Sequence, residues 1–132
     1  MELRVVHGHV TRPQRNVDLA IPILNDEYKV YAVIGDAKWC NRKLREHRYC
    51  DSCATVDFDN NRGQTFHTPN LNPVICLPRK FRIATLAHEA VHAINFIWKM
   101  IDETSIDEAY AHSVAAVVHG VMTGLEALDN VH

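Results

Sequence analysis

The sequence has no long apolar run and no strong excess of charge of either sign. Its first residues do not have the pattern of a secretory signal peptide. Its 132 residues carry a formal net charge of −2 at pH 7, which argues against nucleic acid as the main partner. The apolar segment near the carboxyl end is interrupted by His112, Ser113 and His119, so we expect no membrane span. The first residues show no basic stretch ahead of an apolar one, and these absences together predict a cytoplasmic protein.

Glycine and proline are also scarce, with five of each, and no repeat, linker or low-complexity tract interrupts the sequence. Hydrophobic residues make up 47% of the chain and charged residues 23%, which is the balance of a globular protein. Residues 1–132 are therefore expected to form one domain with its own core. The four cysteines are expected to be free thiols in a reducing compartment.

Hydrophobic patterning predicts an α+β domain, in which a small sheet packs on two central helices and a third helix lies in the amino-terminal half. The predicted strands are 3–10, 17–24, 28–34, 63–67 and 74–77. Pro22 restricts the second of them to a sheet edge or a loop, and Asp36 is placed to cap a helix over 37–48. A central helix, apolar nearly all round, is predicted from about Phe81 to Asp102, and another begins near Ser105.

The central predicted helix contains the motif His-Glu-x-x-His at residues 88–92. His88 and His92 are one turn apart on a helix, so both imidazoles can point at one metal ion. Glu89 is placed to act as a general base on a water molecule at the same site. Two histidine ligands combined with a carboxylate base are typical of zinc hydrolases.

A catalytic zinc ion takes three protein ligands, and Glu108 is the best candidate for the third. Fifteen residues separate it from His92, enough to end one helix, turn and bring the next helix back antiparallel. Ser105-x-x-Glu108 is also a capping-box sequence, in which Glu108 would instead bond the backbone N–H of Ser105. The other nearby carboxylates are weaker candidates: Asp102, Glu103 and Asp107.

His112 follows Glu108 by four residues and therefore lies on the same helical face. Two catalytic roles are open to it: it could orient Glu108, or donate to the oxyanion that forms when water attacks a carbonyl. An ordinary core or surface histidine is an equally good interpretation. Tyr110 suits the oxyanion role less well, because it points elsewhere on the helix.

The cysteines allow a second metal-site hypothesis, a structural zinc built on Cys50-x-x-Cys53. Such a site needs four ligands, usually in two closely spaced pairs, and the remaining candidates Cys40, His47 and Cys76 do not form a second pair. Buried or unused thiols are therefore the expectation. A run of basic residues in the first helix is interpreted as a solvated face rather than a phosphate site; it comprises Lys38, Arg42, Lys43, Arg45 and Arg48.

With these residues in view, the chain resembles the small zinc metallopeptidases encoded by tailed bacteriophages and prophages. The resemblance covers most of residues 35–112, and its specific parts are the His-Glu-x-x-His motif and the segment Glu108-Ala-Tyr-Ala-His112. It implies a minimal gluzincin-type, zincin-like fold, a place in the bacterial host cytoplasm, His88, His92 and Glu108 as zinc ligands, and Glu89 as the base. The matching stretches are GDAKWCNRKLR, GQTF, ICLPRKFRIATLAHEAVHA and DEAYAH.

The leading hypothesis is therefore zinc-dependent hydrolysis of a peptide or protein substrate by a metal-activated water, with Glu89 as general base. Either the strand 74–77 or the strand 63–67 could hold an extended peptide by strand addition. A deformylase is a weaker alternative, because Cys53 and Cys76 lack the surroundings of its cysteine ligand. A non-catalytic zinc domain that binds a host or virion partner is the alternative from another class, and it predicts a closed metal site.

Overall fold

The computed structural model describes residues 4–11, 16–50, 54–101 and 107–129. Over these residues the chain forms three helices and two small sheets, which confirms the predicted α+β class. The strands are β1 Arg4–Val6, β2 His9–Thr11, β3 Val17–Ile23, β4 Tyr28–Ile34, β5 Gln64–Phe66, β6 Val74–Leu77 and β7 Lys80–Arg82. The helices are α1 Ala37–Glu46, α2 Ile83–Met100 and α3 Glu108–Asp129. No helix in the described ranges is long and apolar enough to cross a membrane.

The larger sheet has the strand order β3-β4-β6-β5. The pair β4–β6 is parallel, whereas β3–β4 and β5–β6 are antiparallel. Strands β3 and β5 are thus the two edges of this sheet, and β6 is paired on both sides. Pro22 lies in β3, so the predicted edge position is confirmed. Proline has no backbone N–H to donate to a ladder and is therefore tolerated at a sheet edge.

The smaller sheet has the order β1-β2-β7, and it corrects the prediction of a single strand over 3–10. His7 and Gly8 have φ angles of 50° and 78°, and they turn the chain so that β1 and β2 form a hairpin. Strand β7 pairs with β2 and leads directly into α2. The Ile83 N–H donates to the Gly8 carbonyl at 2.7 Å, which fixes the start of α2 against the hairpin.

Helices cover both faces of the larger sheet, and the buried strand β6 shows how the two layers are divided. Ile75 and Leu77 belong to the core that contains α2 and α3, while Val74 and Cys76 belong to the core beneath α1. Alternate side chains of a strand point to opposite faces. The run Val-Ile-Cys-Leu is continuously apolar because neither of its faces meets water.

Helix α1 begins as predicted, with the Trp39 N–H donating to the Asp36 carboxylate at 2.9 Å. Its buried residues are Cys40 and Leu44, spaced one turn apart. The opposite face of the helix exposes the cationic side chains Lys38, Arg42 and Arg45. This arrangement is that of an amphipathic helix with a solvated basic face.

Helix α3 packs on β3 at two glycines, Gly120 and Gly124. A Cβ atom added at Gly120 would lie 2.9 Å from Ile21, and one added at Gly124 would lie 3.0 Å from Leu19. The absence of side chains therefore lets the helix backbone approach the strand closely. The helix propensity lost at each glycine, about 1 kcal/mol, is offset by this close packing.

We expect Gly120→Leu to lower the free energy of unfolding by about 1–3 kcal/mol, because the new side chain would overpack against Ile21. Ala115→Leu is the matched control, since Ala115 is exposed on the same helix. Urea denaturation followed by circular dichroism would compare the two variants. Equal stability of both would contradict the close packing of α3 on β3.

Candidate metal centre

Helix α2 presents one open face, which corrects the expectation of a helix buried nearly all round. Its residues Glu89, Ala90 and Ala93 are buried, whereas His88 and His92 are exposed. The sheet and α3 cover the apolar side of the helix and no described element covers the other. The motif thus lies at a protein surface, with its carboxylate turned inward and its imidazoles outward.

The two histidines come together as the one-turn spacing predicts. Their Nε2 atoms are 3.1 Å apart, and their ring planes are inclined at 76°. Two nitrogens bound at about 2.0–2.1 Å to one tetrahedral zinc ion lie about 3.3–3.4 Å apart. The pair therefore fits two positions of one metal ion, and without metal the same distance allows one imidazole N–H to donate to the other ring.

Glu89 is nine-tenths buried, and its carboxylate is held by the edge strand β5. Its relative exposure is 7%, and its Oε1 atom accepts a hydrogen bond from the Thr65 hydroxyl at 2.8 Å. The same hydroxyl lies 3.1 Å from the Glu89 backbone carbonyl. Its Oε2 atom is 4.0 Å from Nε2 of His88. One carboxylate oxygen is thus fixed by β5, and the other faces the imidazole pair.

Strand β5 approaches α2 closely because Gly63 precedes it. A Cβ atom added at Gly63 would lie 3.0 Å from Thr85 and 3.3 Å from Cγ of Glu89. Beyond the strand, the Tyr49 hydroxyl lies 2.8 Å from the Asn72 carbonyl and 3.1 Å from the Phe66 carbonyl. Burial, and to a lesser extent the neighbouring Cys76, raises the pKa of Tyr49 to about 12, so its hydroxyl remains a donor at ordinary pH.

A cleft of about 410 Å³ opens beside the motif. His88 and Glu89 lie on its wall, and Thr85 continues that wall toward the amino end of α2. The opposite side comes from the loop before β5, including Asn61 and Gly63. The Glu89 side chain therefore borders a space that is open to solvent.

The structure places Glu108 as the first residue of α3 and leaves it exposed. The Asp107 carboxylate accepts a hydrogen bond from the Tyr110 N–H at 3.3 Å, so Asp107 caps the helix. Glu108 is therefore the first residue of the helix. In a capping box it would be the third. Ser105, like the alternative ligands Asp102 and Glu103, lies outside the described residues.

Glu108 is not brought into a ligand set with the two imidazoles. Among the described residues, no group of three or more His, Cys, Asp and Glu side chains is arranged to hold a metal ion. Glu108 and His112 both lie on the exposed side of α3, away from the buried Val117. Their roles as third ligand and as catalytic helper stay predictions.

Two further residues near the motif had no role assigned from sequence. The His67 ring stacks on Phe96 with 4.6 Å between centroids. Burial, and then the charges of Lys99 and His92, lower the pKa of His67, so this imidazole is neutral at neutral pH. The second of these residues is Thr65. It lies in the short strand β5, and nothing in the sequence indicates that its hydroxyl contacts Glu89.

The cysteines do not form the alternative zinc site in the described part of the chain. Cys40 and Cys76 are buried free thiols, and a hydrogen bond between them, together with burial, raises the pKa of Cys76. Cys50 is disulfide-bonded, so the expectation of four free thiols is wrong for this residue, and it offers no thiolate to a metal. Cys53 lies outside the described residues.

Comparisons with protein-family models, with curated proteins and with solved structures give no match to this chain. The resemblance to phage metallopeptidases therefore stays a prediction that depends on the motifs themselves.

We expect Thr65→Val to lower the free energy of unfolding by about 1–3 kcal/mol, because the buried Glu89 carboxylate would lose a hydrogen-bond donor. Thr65→Ser keeps the hydroxyl and is the matched control. Urea denaturation of both variants at neutral pH is the measurement. A valine variant as stable as the serine variant would show that the hydroxyl does not support Glu89.

Proposed function

We propose that this protein is a zinc-dependent metallopeptidase. The observation that carries the proposal is the grouping of two exposed imidazoles, 3.1 Å apart at Nε2, with one buried carboxylate at the wall of an open cleft. Imidazoles are common zinc ligands, and a carboxylate beside them is the base that water activation requires. His88 and His92 would hold the metal, with Glu108 proposed as the third ligand.

A zinc ion bound there would act as a Lewis acid on the substrate carbonyl and on water. Glu89 accepts the proton of the attacking water and later delivers it to the leaving amine. The hydrogen bond from the Thr65 hydroxyl to Oε1 of Glu89 holds the carboxylate so that Oε2 faces His88, where the attacking water would bind. His112 is proposed to assist as an orienting group or donor, a role that requires the first turn of α3 to face the cleft.

An extended substrate would add to the larger sheet at β5. Strand β6 was the other candidate, but it is paired with β4 and β5 along its length, so its backbone groups are already used. Strand β5 is an edge of that sheet and carries the hydroxyl that binds Glu89. A peptide paired with this edge would lie beside the catalytic carboxylate.

The same proposal includes a minimal zincin-like arrangement, in which the motif helix α2 packs beneath a sheet with β5 at its edge. It also includes phage or prophage origin and action in the bacterial cytoplasm, both of which depend on the resemblance. The open cleft favours a catalytic site over the closed metal site expected of a purely structural zinc domain. A structural zinc domain would also unfold when its metal is removed.

The purified protein is expected to bind about one zinc ion per chain, and His88→Ala and His92→Ala should each weaken binding at least tenfold, because each removes a direct ligand. Glu108→Ala should also weaken it. His119→Ala is the control, since His119 is an exposed histidine of α3 that is not proposed as a ligand. Calorimetric titration with zinc measures all four variants, and unchanged affinity after loss of either motif histidine would contradict the site.

Glu89→Gln is expected to retain zinc but to lower peptide hydrolysis by about 10²–10⁴-fold, the usual contribution of a general base. Glu126→Gln changes an exposed carboxylate of α3 and should leave turnover unaltered. The assay is cleavage of a fluorogenic peptide library by the zinc-loaded protein. Activity of the Glu89 variant equal to that of the Glu126 variant would exclude this mechanism.

A further inference from the structure

The cleft beside the motif continues past Glu89 into a second groove of about 370 Å³. The two spaces share four lining residues: Asn61, Arg62, Thr85 and Arg82. The two spaces therefore adjoin, and together they are called the channel here, which extends from Glu89 toward β7. A substrate that enters at Glu89 has room for further residues in this direction.

Three cations line this channel, and none of them forms an ion pair with another described residue. Arg62 and Arg82 border both spaces, and Lys80 borders the second. In the described part of the chain, ion pairs involve other cations, such as Lys43 with Glu46 at 3.1 Å, and none involves these three side chains. Among the described residues that line the channel, Glu89 is the single carboxylate, and it is held by Thr65.

Apolar side chains accompany the cations in the second groove. Phe58, Pro78 and Phe81 line it together with His9. Mixed apolar walls with a few charged groups suit a peptide side chain better than a bare phosphate backbone. The net charge of −2 likewise gives no broad basic surface for nucleic acid.

We propose that this channel, defined by Arg62, Lys80 and Arg82, is a subsite for a carboxylate group of the peptide substrate. Unpaired cations in a partly enclosed groove attract a carboxylate and fix its position by charge-assisted hydrogen bonds. The carboxylate comes either from an Asp or Glu side chain or from the free carboxyl end of the peptide. This subsite would add substrate specificity to the proposed peptidase function. That the ligand is a substrate rests on the proposed function.

Binding is measured with the zinc-loaded Glu89→Gln protein, so that peptides are not consumed. The probes are fluorescein-labelled octapeptides of Ala, Ser and Gln with an amidated carboxyl end. One series carries a single Glu at each position in turn, and its reference carries Gln throughout. A third peptide has the reference sequence with a free terminal carboxylate. Fluorescence anisotropy gives each dissociation constant at low salt.

We expect at least one Glu peptide, or the free-carboxylate peptide, to bind about fivefold or more tightly than the reference, the size of one favourable ion pair. Arg62→Gln and Arg82→Gln together should remove this preference, and Lys80→Gln should reduce it. Arg42→Gln on the exposed face of α1 is the control and should retain it. Thermal unfolding of each variant checks folding, and Lys80→Gln with Arg62→Gln replaces the pair if Arg82→Gln does not fold.

Equal affinity for the acidic and reference peptides would overturn the subsite, as would a preference that survives in the double arginine variant. Tighter binding of a labelled single-stranded decanucleotide than of every peptide, lost in that variant, would overturn it in favour of phosphate binding. Cleavage of the neutral peptide by the wild-type protein without any acidic preference would reject the subsite and leave the peptidase function standing. Carboxylate-dependent binding without cleavage would reject the peptidase function alone.

Discussion

The contact between the Glu89 carboxylate and strand β5 is the interaction on which the site depends. A carboxylate that is 7% exposed is costly to bury unless it is hydrogen-bonded, and the Thr65 hydroxyl supplies that bond from the sheet edge. Once Glu89 faces inward, helical geometry turns its neighbours at positions 88 and 92 toward solvent. The inward carboxylate and the outward imidazoles are two results of one helix orientation.

The layers of the fold hold this orientation in place. Strand β6 sends Ile75 and Leu77 into the core shared with α2, and it sends Cys76 into the core under α1. Because β6 is hydrogen-bonded on both sides, it fixes β5 at the edge, next to the motif helix. Tyr49 adds a second support by reaching the Phe66 carbonyl from the other layer.

Much of this fold could be predicted from the sequence, because local patterns determined it. The strands at 28–34 and 74–77, the Asp36 cap and the motif helix all follow from periodicity and capping chemistry over short ranges. The hairpin at His7 and Gly8 was missed, since one β-branched run concealed a turn. Strand β7 was missed because three residues beside a helix show no period.

Only the part of the site that lies on one helix could be predicted from the sequence. His88, Glu89 and His92 are set by one turn of α2, and their mutual positions are those expected. The partner of Glu89 could not be inferred, since Thr65 meets it only after the sheet is assembled. The same holds for Glu108, whose position depends on the segment between the helices; the structure leaves it exposed at the start of α3. Arg62 likewise meets Lys80 and Arg82 of β7 only through the tertiary fold.

The proposed function depends on one metal ion bound between His88 and His92 beside Glu89. Anomalous diffraction at the zinc absorption edge, from crystals of the protein purified without chelators, tests it most directly. We expect one strong peak within bonding distance of both Nε2 atoms, on the side of the Glu89 carboxylate, with Glu108 as the proposed third ligand. An anomalous map without a peak between the two imidazoles would contradict it.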